Sequence, residues 1–550
     1  MATEETKPTA DAIEHRETEM EGVPSPKDAR AEAHAMGQGL TGYETLSLRQ
    51  TLIKFKWCSI VCFLAAISAA TEGYQIGLIG NIVANPGFAE QFGTQKDAKG
   101  NNALAASVMS IWGVLGSVGQ IVGQISLPFA SGRYGRKFAM FTYWFILAIS
   151  VAIECVAKDW KVWCVAKIFG GIGVGCMQAT IPAYITEVTP TRSRGALLMC
   201  FALWWIAGQF FAPVSLQVMS AYAPRDFRTP ILGQWGQIGL MFIIYLIIPE
   251  SPAWCASRGL EDRAKKALRF LYRGVDDFDY DYQYKLLVLN IEHEKAVAAE
   301  QRNEKWWAIF KGTNGLRTLI SSWTLVTQQF IGLGIFFSYG TYFFQQAGID
   351  DPFMITCITS SINIVTAIAM IWLADSIGRR WLANMGTTLC WACCVVVGIL
   401  GVIPQSSAKN IVLVVFACFW NIGLVLNSAT GGSFIGEVSS QRLRHYTAGF
   451  AMALSCTVAI VMQILVPYMI NATEWNWGLK TAWFFAGTGV FFTVAMWFLI
   501  PETAGRSSAE LDELFERKIK PWQFHKTTTA TQRILEVEGE IAEDSKKESQ

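Results

Sequence analysis

Charge is what this sequence has least of. Only 16% of its 550 residues are Asp, Glu, Lys or Arg, against about 25% in average soluble domains. The shortfall is locally greater, because the charges gather in the two ends and one central stretch. The remainder is apolar runs long enough to cross a bilayer, which takes roughly 20 helical residues. A formal net charge of +1 gives no sign of nucleic-acid binding. A cleavable signal peptide is also missing from view: the first 50 residues are polar, with Pro, Glu and Lys, and read as disordered. No nucleophile–base pair or metal-ligand cluster falls in a plausible cleft, so an enzyme is not expected. Thirteen cysteines are present, most inside apolar runs (Cys58, Cys62, Cys164, Cys176, Cys390, Cys393, Cys394, Cys418). They read as small packing residues. Cys390-Trp-Ala-Cys393 has metal or redox spacing but no second ligand pair. The 21 tryptophans suit interfacial belts.

Twelve candidate spans follow a polar tail of residues 1–56. They lie near 57–81, 103–129, 138–157, 161–185, 195–221 and 230–249, then near 318–346, 352–374, 381–402, 409–435, 446–470 and 480–500. Each must be helical, because bare backbone polar groups in lipid cost several kcal/mol each. The polar insert 250–317 carries helical spacing at Ala264, Ala267, Leu268 and Leu271, and again from Asp279 to Glu304. Residues 501–550 form a second polar tail. Short loops place Arg133, Arg136, Lys137, Arg192, Arg194, Arg379, Arg380, Arg442 and Arg444 on one side. By the positive-inside rule that side is cytoplasmic, with both termini. Loops 3–4 (Lys158, Asp159, Lys161) and 5–6 (Arg225, Asp226, Arg228) mix signs.

One charged stretch occurs twice. Glu187-Val-Thr-Pro-Thr-Arg-Ser-Arg194 returns as Glu437-Val-Ser-Ser-Gln-Arg-Leu-Arg444. Gly135-Arg136-Lys137 returns as Gly378-Arg379-Arg380, and Pro249-Glu250-Ser251 as Pro501-Glu502-Thr503. Three pairs in the same order indicate an all-α membrane protein of twelve transmembrane helices in two pseudo-symmetric six-helix halves, 57–249 and 318–500.

At these residues the chain resembles the sugar porters of the major facilitator superfamily. The family's loop signature stands as Asp375-Ser-Ile-Gly-Arg-Arg380, and in the first half as Gly132-Arg-Tyr-Gly-Arg-Lys137, with glycine at the acidic position. The PESP-R pattern stands as Pro249-Glu-Ser-Pro-Ala253, with alanine for arginine. Pro501-Glu-Thr-Ala-Gly-Arg506 is intact. Glu72-Gly-Tyr74, Gly340-Thr-Tyr-Phe-Phe-Gln-Gln-Ala-Gly348 and the Trp475-Asn-Trp-Gly478 segment look most like fungal α-glucoside (maltose-type) permeases. The resemblance implies the major facilitator fold, alternating-access transport of an α-glucoside or hexose at the plasma membrane, and a monomer acting in the lipid bilayer. No cofactor is implied beyond a co-transported proton. Two alternatives remain: transport of another polyhydroxylated or secondary metabolite, and a non-transporting sugar sensor.

Candidate residues fall into three groups. The gating group is Arg133, Arg136, Glu187, Arg194, Glu250, Asp375, Arg379, Arg380, Glu437, Arg444 and Glu502. Pairs between the halves would hold one transport state; the alternative is anchoring to an anionic leaflet. The substrate group is Gln328, Gln329, Gly334, Tyr339, Gln209, Trp205 and Gly432. Adjacent amides in an apolar helix need partners inside the bundle, whether substrate or neighbouring helices. The family's asparagine and aromatic positions fall on Gly334 and Gly432, and its span 5 amide on Ala202, which implies a larger substrate or one that is not a sugar. The coupling group is Glu72, Gln75 and Lys167. Relatives place an aspartate at position 75 and an arginine at 167. Glu72 is then the remaining acid, and three readings stay open: Glu72 carries the proton, paired with Lys167; the protein is a facilitator; or the two form a structural pair without proton traffic. Gly170-Gly-Ile-Gly-Val-Gly175 lacks the strand of a nucleotide loop and reads as helix packing. Asn471-Ala-Thr473 fits a glycosylation sequon.

Overall fold

The computed structural model describes residues 47–527, apart from 97–99, 101, 276–277, 302–305, 441–442, 505 and 507. The first expected tail therefore lies largely outside the described residues, as do the second beyond Thr527 and Arg442; the described part of the second carries helix Ser508–Glu516. The side chain of Asp375 and the surroundings of Gly432 are likewise outside them.

The first six spans are helices Lys56–Ile82, Ala106–Tyr134, Arg136–Val156, Trp160–Val188, Thr191–Tyr222 and Arg228–Ile247. Spans 8 to 12 are Pro352–Ile377, Arg379–Leu400, Ser407–Val438, Arg444–Ile470 and Thr481–Leu499. Eleven helices among the described residues are individually long and apolar enough to cross a membrane. Span 7 is the exception, because it is broken. It runs as Gly312–Phe330, a π-helical turn Gly334–Ser338 and Gly340–Gln346. Gly332 sits at the break with φ 99°, a conformation that disfavours any side chain. The break frees the carbonyl of Ile331. Trp420 Nε1 donates to it at 2.7 Å and Cys394 Sγ at 3.2 Å. Neighbouring helices thus satisfy the interrupted backbone, which is what allows a broken helix at this depth.

The outer surface is apolar. Phe129, Val365 and Phe491 are 78%, 68% and 64% exposed, as helices facing lipid require. Trp306 and Trp307 lie at one end, and Trp475 and Trp477 at the other, all exposed, in the pattern of interfacial anchors. Gly170–Gly175 lies within span 4 and packs on span 2. The carbonyls of Gly116 and Gln120 occupy the places where Cβ atoms of Gly171 and Gly175 would sit. In the insert, helix Glu261–Leu271 buries Ala264, Ala267, Leu268 and Leu271, the four residues whose spacing marks its inner face. Helix Tyr280–Gln301 follows.

The end where span 1 begins carries Arg136 and Arg379 and is called the basic end below. The cores of the molecule differ at its two ends. At the opposite end one cluster joins both halves, with Tyr74, Phe88, Trp112 and Trp163 from the first and Ile331, Phe336, Trp420 and Phe485 from the second. Towards the basic end the cores are separate. One holds Val61, Tyr143, Ile181 and Tyr245 of the first half; the other holds Ile320, Phe434, Met496 and Phe515 of the second.

Candidate functional site

The duplicated charges form two equivalent clusters, one in each half. At the start of span 3, Glu250 accepts the backbone N–H groups of Arg136 (2.8 Å) and Lys137 (3.1 Å). At the start of span 9, Glu502 accepts those of Arg379 (3.0 Å) and Arg380 (3.2 Å). A carboxylate is favoured there because helix N-terminal N–H groups lack intrahelical partners and carry the positive end of the dipole. Arg136 reaches Glu187 at 2.6 Å, and Arg379 pairs with Glu437. Ser251 Oγ donates to Glu187 at 2.6 Å, and Arg380 donates to the Trp497 carbonyl at 2.8 Å.

This differs from the expectation of bridges between the halves. The acids pair with the arginines that open spans 3 and 9, while Arg194 is exposed and Arg444 half-buried. Arg133 is also exposed and lies over the Tyr134 ring. Among the described residues, the ion pairs at the basic end join groups of one half. The reason is distance along the fold: span 3 begins directly below the end of span 4, whereas the other half is separated by the division in the core.

The halves are instead held together at the opposite end. Thr341 donates to Asn81, and Gln345 Nε2 donates to the Ala84 carbonyl at 3.1 Å. Gln217 Nε2 donates to Asp351 at 2.9 Å. Asn471 Nδ2 donates to the Leu104 carbonyl at 2.8 Å and Thr473 Oγ1 to Gln95 at 2.7 Å. The sequon nitrogen is therefore committed to the closed interface, and Asn471 is 2% exposed.

Two chambers lie between the halves. The first has a volume of about 180 Å³ and is the more polar of the two. The first half gives it Gln75, Asn81, Ser117, Gln120, Glu154, Lys167 and Gln209; the second gives Tyr339, Thr356, Thr359, Asn363, Asn421 and Gln463. Buried Gln75 Oε1 and Asn363 Oδ1 have no hydrogen-bond partner. The second chamber, of about 450 Å³, lies nearer the basic end and is mostly apolar, with Met199, Ala202, Leu203, Leu333, Met370 and Leu424 in its wall. Ile206, Gln209, Phe337 and Asn363 line both. They form the partition, where Trp205 stacks on Phe337 with centroids 6.2 Å apart.

Of the substrate candidates, Gln209 faces both chambers, Tyr339 the polar one, and Trp205 and Gln328 the apolar one. Gln328 Nε2 donates to Asn427 at 3.0 Å. Gln329 lines neither chamber. Gly334 is packed on Val466, with which a Cβ would collide.

The coupling candidates separate. Lys167 pairs with Glu154 of span 3, not with Glu72: Nζ and Oε1 are 2.8 Å apart, and the two side chains are 2% and 0% exposed. Gln75 and Gln234 also donate to Glu154, at 3.4 and 3.1 Å, and Lys167 Nζ lies 4.6 Å from the centre of the Trp163 ring. Glu72 belongs to another network. It accepts from Gln178 at 2.5 Å, and Gln178 accepts from Gln120 and Gln124 at 2.7 and 2.6 Å. Glu72 lines neither chamber. Glu154 escaped the sequence reading although its signal was present, a single acid inside an expected span, where ionisable residues mark function by default. Asn363, Asn421 and Gln463 carried the same kind of signal.

The family model described as "Sugar (and other) transporter" matches residues 61–515. A general α-glucoside permease of Saccharomyces cerevisiae is 26% identical over 498 residues, covering 88% of this chain and 79% of that one. A major facilitator transporter of Aspergillus fumigatus is 26% identical over 529 residues, covering 95% and 98%. The inward-open xylose transporter of Escherichia coli superposes with a TM-score of 0.67 at 19% identity, covering 83% of this chain and 99% of that one.

Proposed function

The chain belongs to the sugar transporter family, and from that premise we propose that it carries an α-glucoside or hexose across the plasma membrane by alternating access. One observation carries the proposal. The polar chamber is built from both halves, rich in amides and hydroxyls, and keeps buried Gln75 Oε1 and Asn363 Oδ1 unpartnered. Such groups suit a polyhydroxylated ligand, because a buried polar atom without a hydrogen bond is costly. A midplane site between related halves is also where transporters of this architecture hold their cargo. The basic end and both termini face the cytoplasm in this reading, supported by the arginine-rich loops. One chain is the working unit, since it forms both chambers alone.

Transport is coupled to a proton carried by the Glu154–Lys167 pair. The pair faces the polar chamber, so solute binding and charge state act on one another directly, whereas Glu72 is sealed among glutamines. The test is uptake by yeast cells stripped of their own sugar carriers, with maltose, glucose, sucrose and trehalose offered separately. At least one is taken up saturably, and its addition makes the medium more alkaline. Uptake of none would sink the proposal; uptake without alkalinisation removes the proton.

A second reading, transport of another polyhydroxylated or secondary metabolite, is favoured by Ala202, which stands where the family has an amide and lies in the mostly apolar wall of the second chamber. Failure of all four sugars in correctly folded protein is the result that selects it.

A further inference from the structure

We propose that the apolar chamber is a binding site for a hydrophobic aglycone, so that the preferred cargo is a glucoside bearing an aryl or alkyl group. The inference rests on the sugar-transport reading above and narrows its substrate class. Three observations lead to it.

The first is size. The polar chamber, at about 180 Å³, is smaller than the roughly 300–1,000 Å³ typical of small-molecule pockets. The apolar chamber, at about 450 Å³, adjoins it through Gln209, Phe337 and Asn363, so a ligand occupying both is larger than one sugar ring. The second is chemistry. The apolar chamber is walled by Met199, Leu203, Leu333, Met370, Leu424 and Val425. Its polar groups are few, and the Gln328 amide nitrogen already donates to Asn427. A second pyranose would bring more hydroxyl groups than the few polar groups of this wall, chiefly Trp205 Nε1, Asn363 Oδ1 and Ser428, can pair, and each unpaired buried hydroxyl is unfavourable. An aryl or alkyl group brings no hydroxyl that needs a partner and gains from apolar burial. The third is the partition. Trp205 and Phe337 stack at the boundary, presenting aromatic surface to a planar group beside the sugar, while Gln209 faces both sides of that boundary and can hold the glycosidic end.

The test compares methyl α-glucoside with phenyl α-glucoside, measured as concentration-dependent uptake into cells carrying the protein, with uptake by empty cells subtracted. The KM for the phenyl compound is expected to be roughly 10- to 100-fold lower, the scale of burying one apolar ring. In Met370→Gln and in Leu424→Asn, the ratio of the two KM values falls towards one. Reading the ratio within each variant removes differences in expression and folding. Methyl glucoside uptake with a wild-type ratio near one overturns the inference and leaves sugar transport standing. A large ratio that survives both substitutions also overturns it, because the apolar wall would not be its source. Transport of neither glucoside, maltose nor glucose by folded protein overturns the sugar-transport reading and this inference together.

Discussion

Lys167→Met is expected to lower the stability of the folded chain by about 3–5 kcal/mol, with Glu154→Leu doing the same and the double variant recovering most of the loss. The reasoning is electrostatic. Both groups are almost wholly buried and 2.8 Å apart. Each is tolerated there because the other is present, and because Gln75 and Gln234 donate to the carboxylate. Removing one member leaves an uncompensated charge in a largely buried setting, which costs more than the pair itself contributes. Removing both takes away the charge and its penalty together. Unfolding of the purified variants in detergent measures the three losses, and the non-additivity is the signature of direct pairing. Losses that simply add would show that Lys167 and Glu154 are held independently. The double variant also separates folding from coupling: it is well folded, yet sugar addition no longer alkalinises the medium.

Gly80→Val is expected to reduce transport more than tenfold while leaving the chain folded. Gly80 of span 1 touches the broken part of span 7. The carbonyl of Ser338 occupies the place of any Cβ, and both partners are backbone, which cannot rotate aside. A side chain there pushes the two halves apart at the opposite end, where Asn81–Thr341 and Gln345–Ala84 hold them together. Packed interfaces tend to switch between discrete arrangements rather than deform smoothly. Overpacking of this kind costs about 1–3 kcal/mol, enough to shift the ratio of the two states by roughly 5- to 150-fold. A cysteine introduced at Thr359, which faces the polar chamber, reports the outcome. In Gly80→Val it reacts with a membrane-impermeant reagent added at the opposite end; in the parent it is protected. Equal protection in both would mean that Gly80 does not set the closure.

The fold was legible because lipid leaves a chain few choices. Long apolar runs must be helices, and basic loops order them, so span 1, expected near 57–81, is found at Lys56–Ile82. The repeated charges announced two halves. What they do within each half was not legible, since spacing along the chain does not say which arginine lies below which acid. Glu187 was seven residues from Arg194 and found Arg136 instead. The break in span 7 was foreshadowed by Gly332, Gly334 and Gly340, though the donors that satisfy it, Trp420 and Cys394, are distant in sequence. The site was half legible. Gln209, Gln328 and Tyr339 reach the chambers, whereas Gln329 lies about 100° round the same helix from Gln328 and Gly334 is packed on Val466, so neither lines them. Glu72 was singled out for its type, but burial beside Gln178 removes it from the cavity. Glu154 was overlooked because it fits no motif.

The account stands on one claim, that a sugar crosses through the space between the halves. The direct measurement is counterflow: the purified chain in liposomes preloaded with unlabelled maltose, with labelled maltose added outside. Labelled sugar is expected to accumulate transiently in proportion to protein, and Gln209→Ala, at the wall shared by both chambers, is expected to abolish most of it. Counterflow that is absent from folded wild-type protein for maltose, and likewise for glucose, would contradict the account.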